Sequence, residues 1–412
     1  MPQWSLEKLR ELDRADALRP IREMFAWPAG TLYFNGNSLG LMPKLARVRV
    51  LEVLDTWESK AVEGWFHGAE TWLNLSERLS ALAAPLVGAE LAEVTVANST
   101  TINLHQFLAT LFRPSGAKRK ILVDETIFRS DLYAIRSHLK LRNLNLDDHL
   151  MMVPVRDGFL ASEDDLAERM TGDVAIAVLP SVVYHTGQLL DMSRLILTAR
   201  EREIVIGFDC SHSVGCIPHE LSRWGADFAF WCGYKYLCGG PGAVAGMYLN
   251  RRHFGCMPGI AGWFASNKNA LLEMPLHLDA APDAAALQIS TPFVLSMAPL
   301  LASLSIISEA GIQALRAKSL RLTGLMMDLI DEQFVGTRLS LVTPRDERRR
   351  GGHVSLIHPR AEQICRSMRQ QQVVADFRRP DMMRLAPSPL YTSFEDCFEA
   401  VKRLTAIMHE YA

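Results

Sequence analysis

No apolar run in the 412 residues approaches the roughly 18 residues a membrane span requires, so a bilayer protein is not expected. Residues 1–19 are charged throughout and contain no apolar stretch, which argues against a secretory leader. Neither charge is in excess: 44 Lys and Arg against 46 Asp and Glu leave a net charge of -2. No global field therefore favours nucleic acid or an acidic membrane surface. Seven cysteines are an odd number, and the five between Cys210 and Cys256 contain no CxxC pair. A disulfide scaffold or a zinc module is thus not expected, and reduced thiols of a cytoplasmic protein are. Solenoid repeats and low-complexity segments are absent too. Asn98-Ser99-Thr100 matches a glycosylation sequon, which is incidental without secretion. What is present is 49% hydrophobic and 22% charged residues, enough for a substantial core in two or three domains.

Short apolar runs alternate with amphipathic stretches between about residues 93 and 249. The runs are Val94–Ala97, Ile121–Val123, Met151–Val155, Val174–Leu179, Ile204–Phe208, Phe228–Trp231 and Val244–Leu249. Continuous apolarity suits strands buried on both faces, and their alternation with helices predicts an α/β fold with a mostly parallel sheet. Sites in such sheets form at the C-terminal strand ends. The last quarter reads as a smaller α+β domain. It comprises one long helical stretch over Leu300–Phe334, strands at Leu339–Val342 and Gly352–Ile357, and a helix over Glu362–Gln371. Strands at Gln372–Asp376 and Met382–Leu385 and a last helix from about Ser393 follow. The expected division is an N-terminal segment (1–45) packing with the small domain, a large cofactor-binding domain (46–295) and a small C-terminal domain (296–412). The charged run Arg345–Arg350 reads as a solvated loop.

Asp209 ends one predicted strand, and Lys235 follows the next in an apolar, aromatic context (WCGYKYL). Singly, an Asp there reads as a helix cap and a Lys as an exposed side chain. Together they match what pyridoxal phosphate needs. One is an amine that can form a Schiff base, and the other a carboxylate that keeps the pyridine nitrogen protonated. Asn98-Ser99-Thr100-Thr101, between a strand and an apolar-periodic segment, suits a phosphate at a helix N-terminus, or a plain cap. Phe128 suits stacking on a flat ring, or an ordinary core position. Gly239-Gly240-Pro241-Gly242 permits a tight turn but is no nucleotide loop. Tyr33–Gly40 (YFNGNSLG) reads only as a loop. Arg384 suits a two-bond clamp on a carboxylate, or a surface position. No metal site is expected.

From Tyr33 to about Phe394 the chain resembles kynureninase, within the aspartate-aminotransferase-like, fold-type I pyridoxal-phosphate enzymes. The blocks that carry the resemblance are YFNGNSLGLMPK (33–44), NSTTINLH (98–105), FDCSHSVG (208–215), WGADFAFWCGYKYL (224–237), GWF (262–264), ISTP (289–292) and RLAPSPLYTSF (384–394). The resemblance implies Lys235 as the Schiff-base lysine and Asp209 as partner of the pyridine nitrogen. It places His212 beside Asp209 at the cofactor and Thr100 and Thr101 on the phosphate side. Phe128 becomes the stacking aromatic and Asp131 the acidic residue shortly after it. Tyr234 would contact the phosphate and help protonate the cofactor carbon. Trp263 and Thr291 would reach the cofactor from the second subunit of a homodimer with shared active sites, and Arg384 would hold the substrate carboxylate. The activity implied is hydrolytic Cβ–Cγ cleavage of L-kynurenine to anthranilate and L-alanine, in tryptophan degradation.

Three positions depart from the family pattern. Phe128-Arg129-Ser130-Asp131 stands where Phe-Pro-Ser-Asp is usual, but keeps both functional residues. Pro180 stands where a Ser or Thr is common, so that a cofactor hydrogen bond is either missing or supplied by Ser181. At the substrate ring the matching residue is Trp65, with His67 as the alternative match. A tryptophan there implies a preference for L-kynurenine over 3-hydroxykynurenine. The competing readings are another fold-type I enzyme, such as a cysteine desulfurase or an aminotransferase, and a non-catalytic homologue. The first needs a reactive cysteine on a loop motif or a keto-acid product. The second is opposed by the retained Lys235, Asp209 and Arg384.

Overall fold

The computed structural model describes residues 4–411, apart from residues 69 and 157. Its largest sheet has seven strands. In spatial order they are Val94–Val96, Gly246–Leu249, Phe228–Trp231, Val205–Asp209, Val174–Pro180, Lys120–Asp124 and Leu150–Val153. Gly246–Leu249 runs antiparallel to both neighbours, and every other pairing in the sheet is parallel. The sheet is therefore mostly parallel, as the apolar runs predict. The interior strands bury nearly every residue because helices cover both faces. The expected run Val244–Leu249 enters the sheet only at Gly246, after the turn that follows Lys235.

A second, four-stranded antiparallel sheet orders Asp376–Arg378, Met382–Leu385, Val354–Ile357 and Ser340–Leu341. The helices Ala361–Gln370 and Phe394–Met408 pack with it around a separate core that includes Met383, Ile364 and Leu404. Phe394–Met408 starts at a reciprocal cap. The Ser393 hydroxyl accepts from Asp396 N–H at 3.0 Å, and the Asp396 carboxylate accepts from Ser393 N–H at 2.9 Å. Leu9 and Phe34 also enter this core, and Leu32–Tyr33 pairs in parallel with Val373–Val374. The single expected strand Gln372–Asp376 is thus two short strands in two different sheets.

The long helix expected over Leu300–Phe334 is instead two helices, Val294–Ala310 and Ile312–Gln333, bent by 83° at Gly311. The break has a packing reason. Val294–Ala310 lies on the helix Lys44–Lys60 and buries Leu300, Leu304 and Ile307 in the large core. From Leu322 onward the second helix faces the small core. The change of core falls along the second helix, between Leu315 in the large core and Leu322 in the small one. Among the described residues no single helix is long and apolar enough to cross a membrane.

One glycine fixes the sheet's centre. Gly207 lies opposite Phe228, and a Cβ there would sit 2.2 Å from the Phe228 ring, which itself stacks on Phe107 at 4.6 Å. Gly207→Ala should therefore lower the unfolding free energy by about 1–3 kcal/mol. Urea denaturation would read this as a lower midpoint, and an unchanged midpoint would contradict the close approach.

Candidate active site

Parallel register brings the site together. Asp209, the last residue of its strand, is aligned with Pro180 on one side and Phe230 on the other, so three strands end at one level. The chain leaving Phe228–Trp231 turns at once through Tyr234 and Lys235. Lys235 is buried, with its Nζ 5.7 Å from the centre of the Phe128 ring and 5.8 Å from that of Tyr234. Gly40 seats this turn from below. Its N–H donates to the Tyr234 carbonyl at 2.8 Å, and a Cβ on it would meet the Lys235 carbonyl at 2.4 Å. The segment Tyr33–Gly40, legible from the sequence only as a loop, is thus a wall of the site.

Two carboxyls share the space beside the lysine. Asp209 accepts from Ser211 N–H at 2.8 Å. Asp131, in the first turn of Arg129–Leu141, is buried against it. Burial and the neighbouring Asp209 charge hold the Asp131 carboxyl well above the usual range, with Lys235 opposing. His212 is also buried, and burial and the nearby Lys235 and Arg384 charges keep its imidazole neutral. Tyr234 is pushed up, first by burial and then by Cys232.

Thr100 and Thr101 open the helix Thr100–Leu111, reached through Asn98 in the left-handed region at φ 56°. Ser99 stands at the cap position but makes no side-chain cap bond, and the Thr101 hydroxyl lies 3.2 Å from that of Ser130. The unspent donors of this helix start are what an anionic group requires. Ser181 does not face the site. Its hydroxyl donates to the Asp209 carbonyl at 3.1 Å and lies 2.7 Å from the Ser213 hydroxyl.

Arg384, in the strand Met382–Leu385, is only 1% exposed. Its guanidinium donates to Asp376 through Nε at 2.9 Å and also through Nη2, and to the Tyr184 carbonyl through Nη1 at 2.6 Å. Tyr184 in turn packs edge-on against Phe128, 5.2 Å between ring centres. This chain of contacts joins the small sheet to the lysine cluster. Asp376, Tyr184, His185 and His353 were missed in the sequence because their positions acquire meaning only through contacts between remote segments. His185 is lowered to about 4 by burial and then by Arg384. His353 is buried with both ring nitrogens unpartnered, its ring 5.7 Å from that of His212.

Trp65, Thr291 and Trp263 lie apart from this cluster. Trp65 and Thr291 line a cavity of about 530 Å³ with Trp57, Trp72, Phe293 and Gly242, the last on the loop that follows Lys235. Trp65 meets Trp72 edge-on at 5.5 Å. His67 does not line this cavity and pairs at 3.3 Å with Glu63 on the surface. Trp263 is 43% exposed and donates from its indole to the Leu271 carbonyl at 3.0 Å. Among the described residues no group of three or more His, Cys, Asp and Glu side chains is placed to hold a metal. All seven cysteines are free, and only Cys256 is exposed.

These residues fit a flat, phosphorylated, aldehyde-bearing ring. A buried amine stands beside an aromatic face that remains 37% exposed at Phe128. Buried polar atoms at the same place, Nδ1 of His212 and Oδ2 of Asp131, have no partner within the protein.

The fold matches solved structures at low sequence identity. A form of the lyase C-DES with glycine covalently linked to its PLP cofactor superposes at a TM-score of 0.81 with 16% identity, covering 93% of this chain and 98% of that one. A cysteine desulfurase from Thermococcus onnurineus gives 0.77 with 16% identity, covering 100% and 99%. The fold is thus that of the fold-type I pyridoxal-phosphate enzymes. Kynureninases of Geobacillus thermodenitrificans and Bacillus mycoides are each 46% identical to this chain over 406 residues, 98% of its length and 95% of theirs. The kynureninase C-terminal domain family matches residues 315–404. The chain belongs to the kynureninase family.

The buried Asp124 beneath the site gives a pH test. Burial raises its carboxyl to about 6, against bonds from Thr126 that lower it. The unfolded chain ionises first, so the stability that this carboxyl contributes is lost as pH rises from about 4 to about 6, against the opposite contribution of the buried neutral histidines. The cost reaches about 3 kcal/mol above that window. In the cofactor-free protein, Asp124→Asn should gain stability relative to wild type as pH rises from about 4 to about 6 in urea titrations, because only the Asp124 contribution is lost from its slope. Equal slopes for variant and wild type would contradict the assignment.

Proposed function

We propose that this chain hydrolyses the Cβ–Cγ bond of L-kynurenine to give anthranilate and L-alanine, with pyridoxal phosphate bound at Lys235. The observation that carries the reading is the convergence of Lys235, Asp209, Asp131, His212 and Phe128 in a chain nearly half identical to kynureninases along its length. When bound, pyridoxal phosphate supplies a carbonyl carbon for an amine and a ring that takes up the electron pair released at the substrate α-carbon.

Each residue then has a task. Lys235 would hold the cofactor through Nζ, and as a free amine it would accept the substrate α-proton. Asp209 would face the ring nitrogen and favour its protonated form, with the Asp131 carboxyl, held well above its usual range, beside it. Thr100, Thr101 and the free N–H groups of their helix hold the phosphate. Phe128 covers the ring, and His212 fills the space near Asp209 without adding charge. Tyr234, whose hydroxyl is held protonated by burial, would face the bound cofactor and stand as a proton donor beside its phosphate. Arg384 holds the α-carboxylate. Water adds at the γ-carbonyl, the Cβ–Cγ bond breaks with its electron pair left on Cβ, a proton taken up there completes the methyl group of L-alanine, and the γ-carbon leaves as the carboxylate of anthranilate.

The aromatic end of the substrate takes the tryptophan-lined cavity, with Trp65 against its ring. Trp263 and Thr291 act on the cofactor of a second copy in a homodimer. The helix Lys44–Lys60 supports this, since Val48, Leu51, Leu54 and Trp57 remain exposed along it and form an apolar surface suited to self-association. The same reading places the enzyme in the cytoplasm, in tryptophan degradation.

Lys235→Ala should abolish anthranilate fluorescence released from L-kynurenine, by about a thousandfold or more in kcat. Full activity in that variant would remove Lys235 from the chemistry. With Trp65 at the ring, kcat/KM for L-kynurenine should exceed that for 3-hydroxykynurenine by about tenfold. The reverse ratio would overturn the ring assignment.

A further inference from the structure

Asp376 belongs to no part of the mechanism above, yet it is the most heavily engaged carboxylate in the site. It lies directly across from Arg384 in the antiparallel register of Asp376–Arg378 with Met382–Leu385, so the pairing is built into the sheet. One oxygen, Oδ2, receives four donors. They are Nε and Nη2 of Arg384, Nε of Arg378 at 3.0 Å, and the Ser38 hydroxyl at 3.3 Å. The Asp376 side chain is 13% exposed and that of Arg384 1%.

The contacts divide the Arg384 fork into two edges. The Nε/Nη2 edge is bound by a charged carboxylate. On the other edge, Nη1 meets only the Tyr184 carbonyl at 2.6 Å and Nη2 only the Ser38 hydroxyl at 3.4 Å, both neutral. The charges do not cancel either. Two guanidinium groups share one carboxylate, and the adjacent imidazoles of His185, His212 and His353 are all held neutral. The cluster is short of one anion, and the edge with neutral acceptors is where an anion gains most.

We infer that Asp376 is a positioning residue. It stays bound to the Nε/Nη2 edge of Arg384 and aims the Nη1/Nη2 edge at the substrate α-carboxylate, which replaces neutral acceptors and leaves the internal ion pair intact. This rests on the reading of Arg384 as the carboxylate site. The alternative, that Asp376 occupies the arginine until substrate displaces it, predicts the opposite sign for its removal.

The test uses the holoenzyme and two readouts. These are KM and kcat for L-kynurenine, and the Kd of L-alanine read from the cofactor's absorbance. Asp376→Asn should raise both KM and Kd by about tenfold or more, with kcat changed far less. Asp376→Glu retains the charge but shifts it by one methylene, so it should fold and raise Kd to a smaller extent. If Asp376→Asn fails to fold, this variant alone decides. An unchanged or lowered Kd in the variant that folds would overturn the inference. Arg384→Ala separates the two levels. If it leaves Kd and KM unchanged, the carboxylate reading itself fails. If it weakens binding while the Asp376 variants do not, only the role of Asp376 fails.

Discussion

The site depends on the alignment of strand ends in a parallel sheet. Because Pro180, Asp209 and Phe230 lie in register, a carboxylate is delivered to the same level at which the next chain segment turns through Lys235. In this low-dielectric space one ammonium and two carboxyls cannot all behave as they do in water. The outcome is an Asp131 carboxyl held well above its usual range by burial and by Asp209, flanked by a His212 imidazole kept neutral by burial. A slip of one residue in any of the three strands would reverse the faces of their side chains and separate Asp209 from Lys235.

A second constraint is the tie between the two sheets. Arg384 reaches from the small sheet to the Tyr184 carbonyl, and Tyr184 packs on Phe128. The Ser355 hydroxyl donates to the His185 carbonyl at 2.5 Å, and Gly351 N–H to that of Gly187 at 2.7 Å. The Thr343 hydroxyl donates to the Thr186 carbonyl at 2.5 Å, so each carbonyl from Tyr184 to Gly187 is held by the small sheet or the segments flanking its strands. Arg384 and Phe128 are thereby positioned by one loop.

Much of this was legible in the sequence, for a physical reason. Buried parallel strands must be apolar along their whole length, so Phe228–Trp231 and Val174–Leu179 announce themselves. The polar residues that follow them, such as Lys235, are conspicuous for the same cause. The bend at Gly311 was not legible, since a lone glycine in an apolar-periodic stretch is tolerated in a helix. What sets the bend is the exchange of one core for another. Nor was the engagement of Arg384 by Asp376 legible. Cross-strand pairing depends on where the turn between two short strands falls, and here the expected strand Gln372–Asp376 proved to be two. Tyr184, His185 and His353 are ordinary residues in sequence and acquire meaning only through packing between remote segments.

The central claim is that the ε-amine of Lys235 carries the cofactor. Reducing the purified protein with borohydride, digesting it and locating the pyridoxyl mass by tandem mass spectrometry tests this most directly. The account predicts the label on Lys235 and on no other lysine. A label elsewhere, or none on a protein that retains its yellow colour, would contradict it.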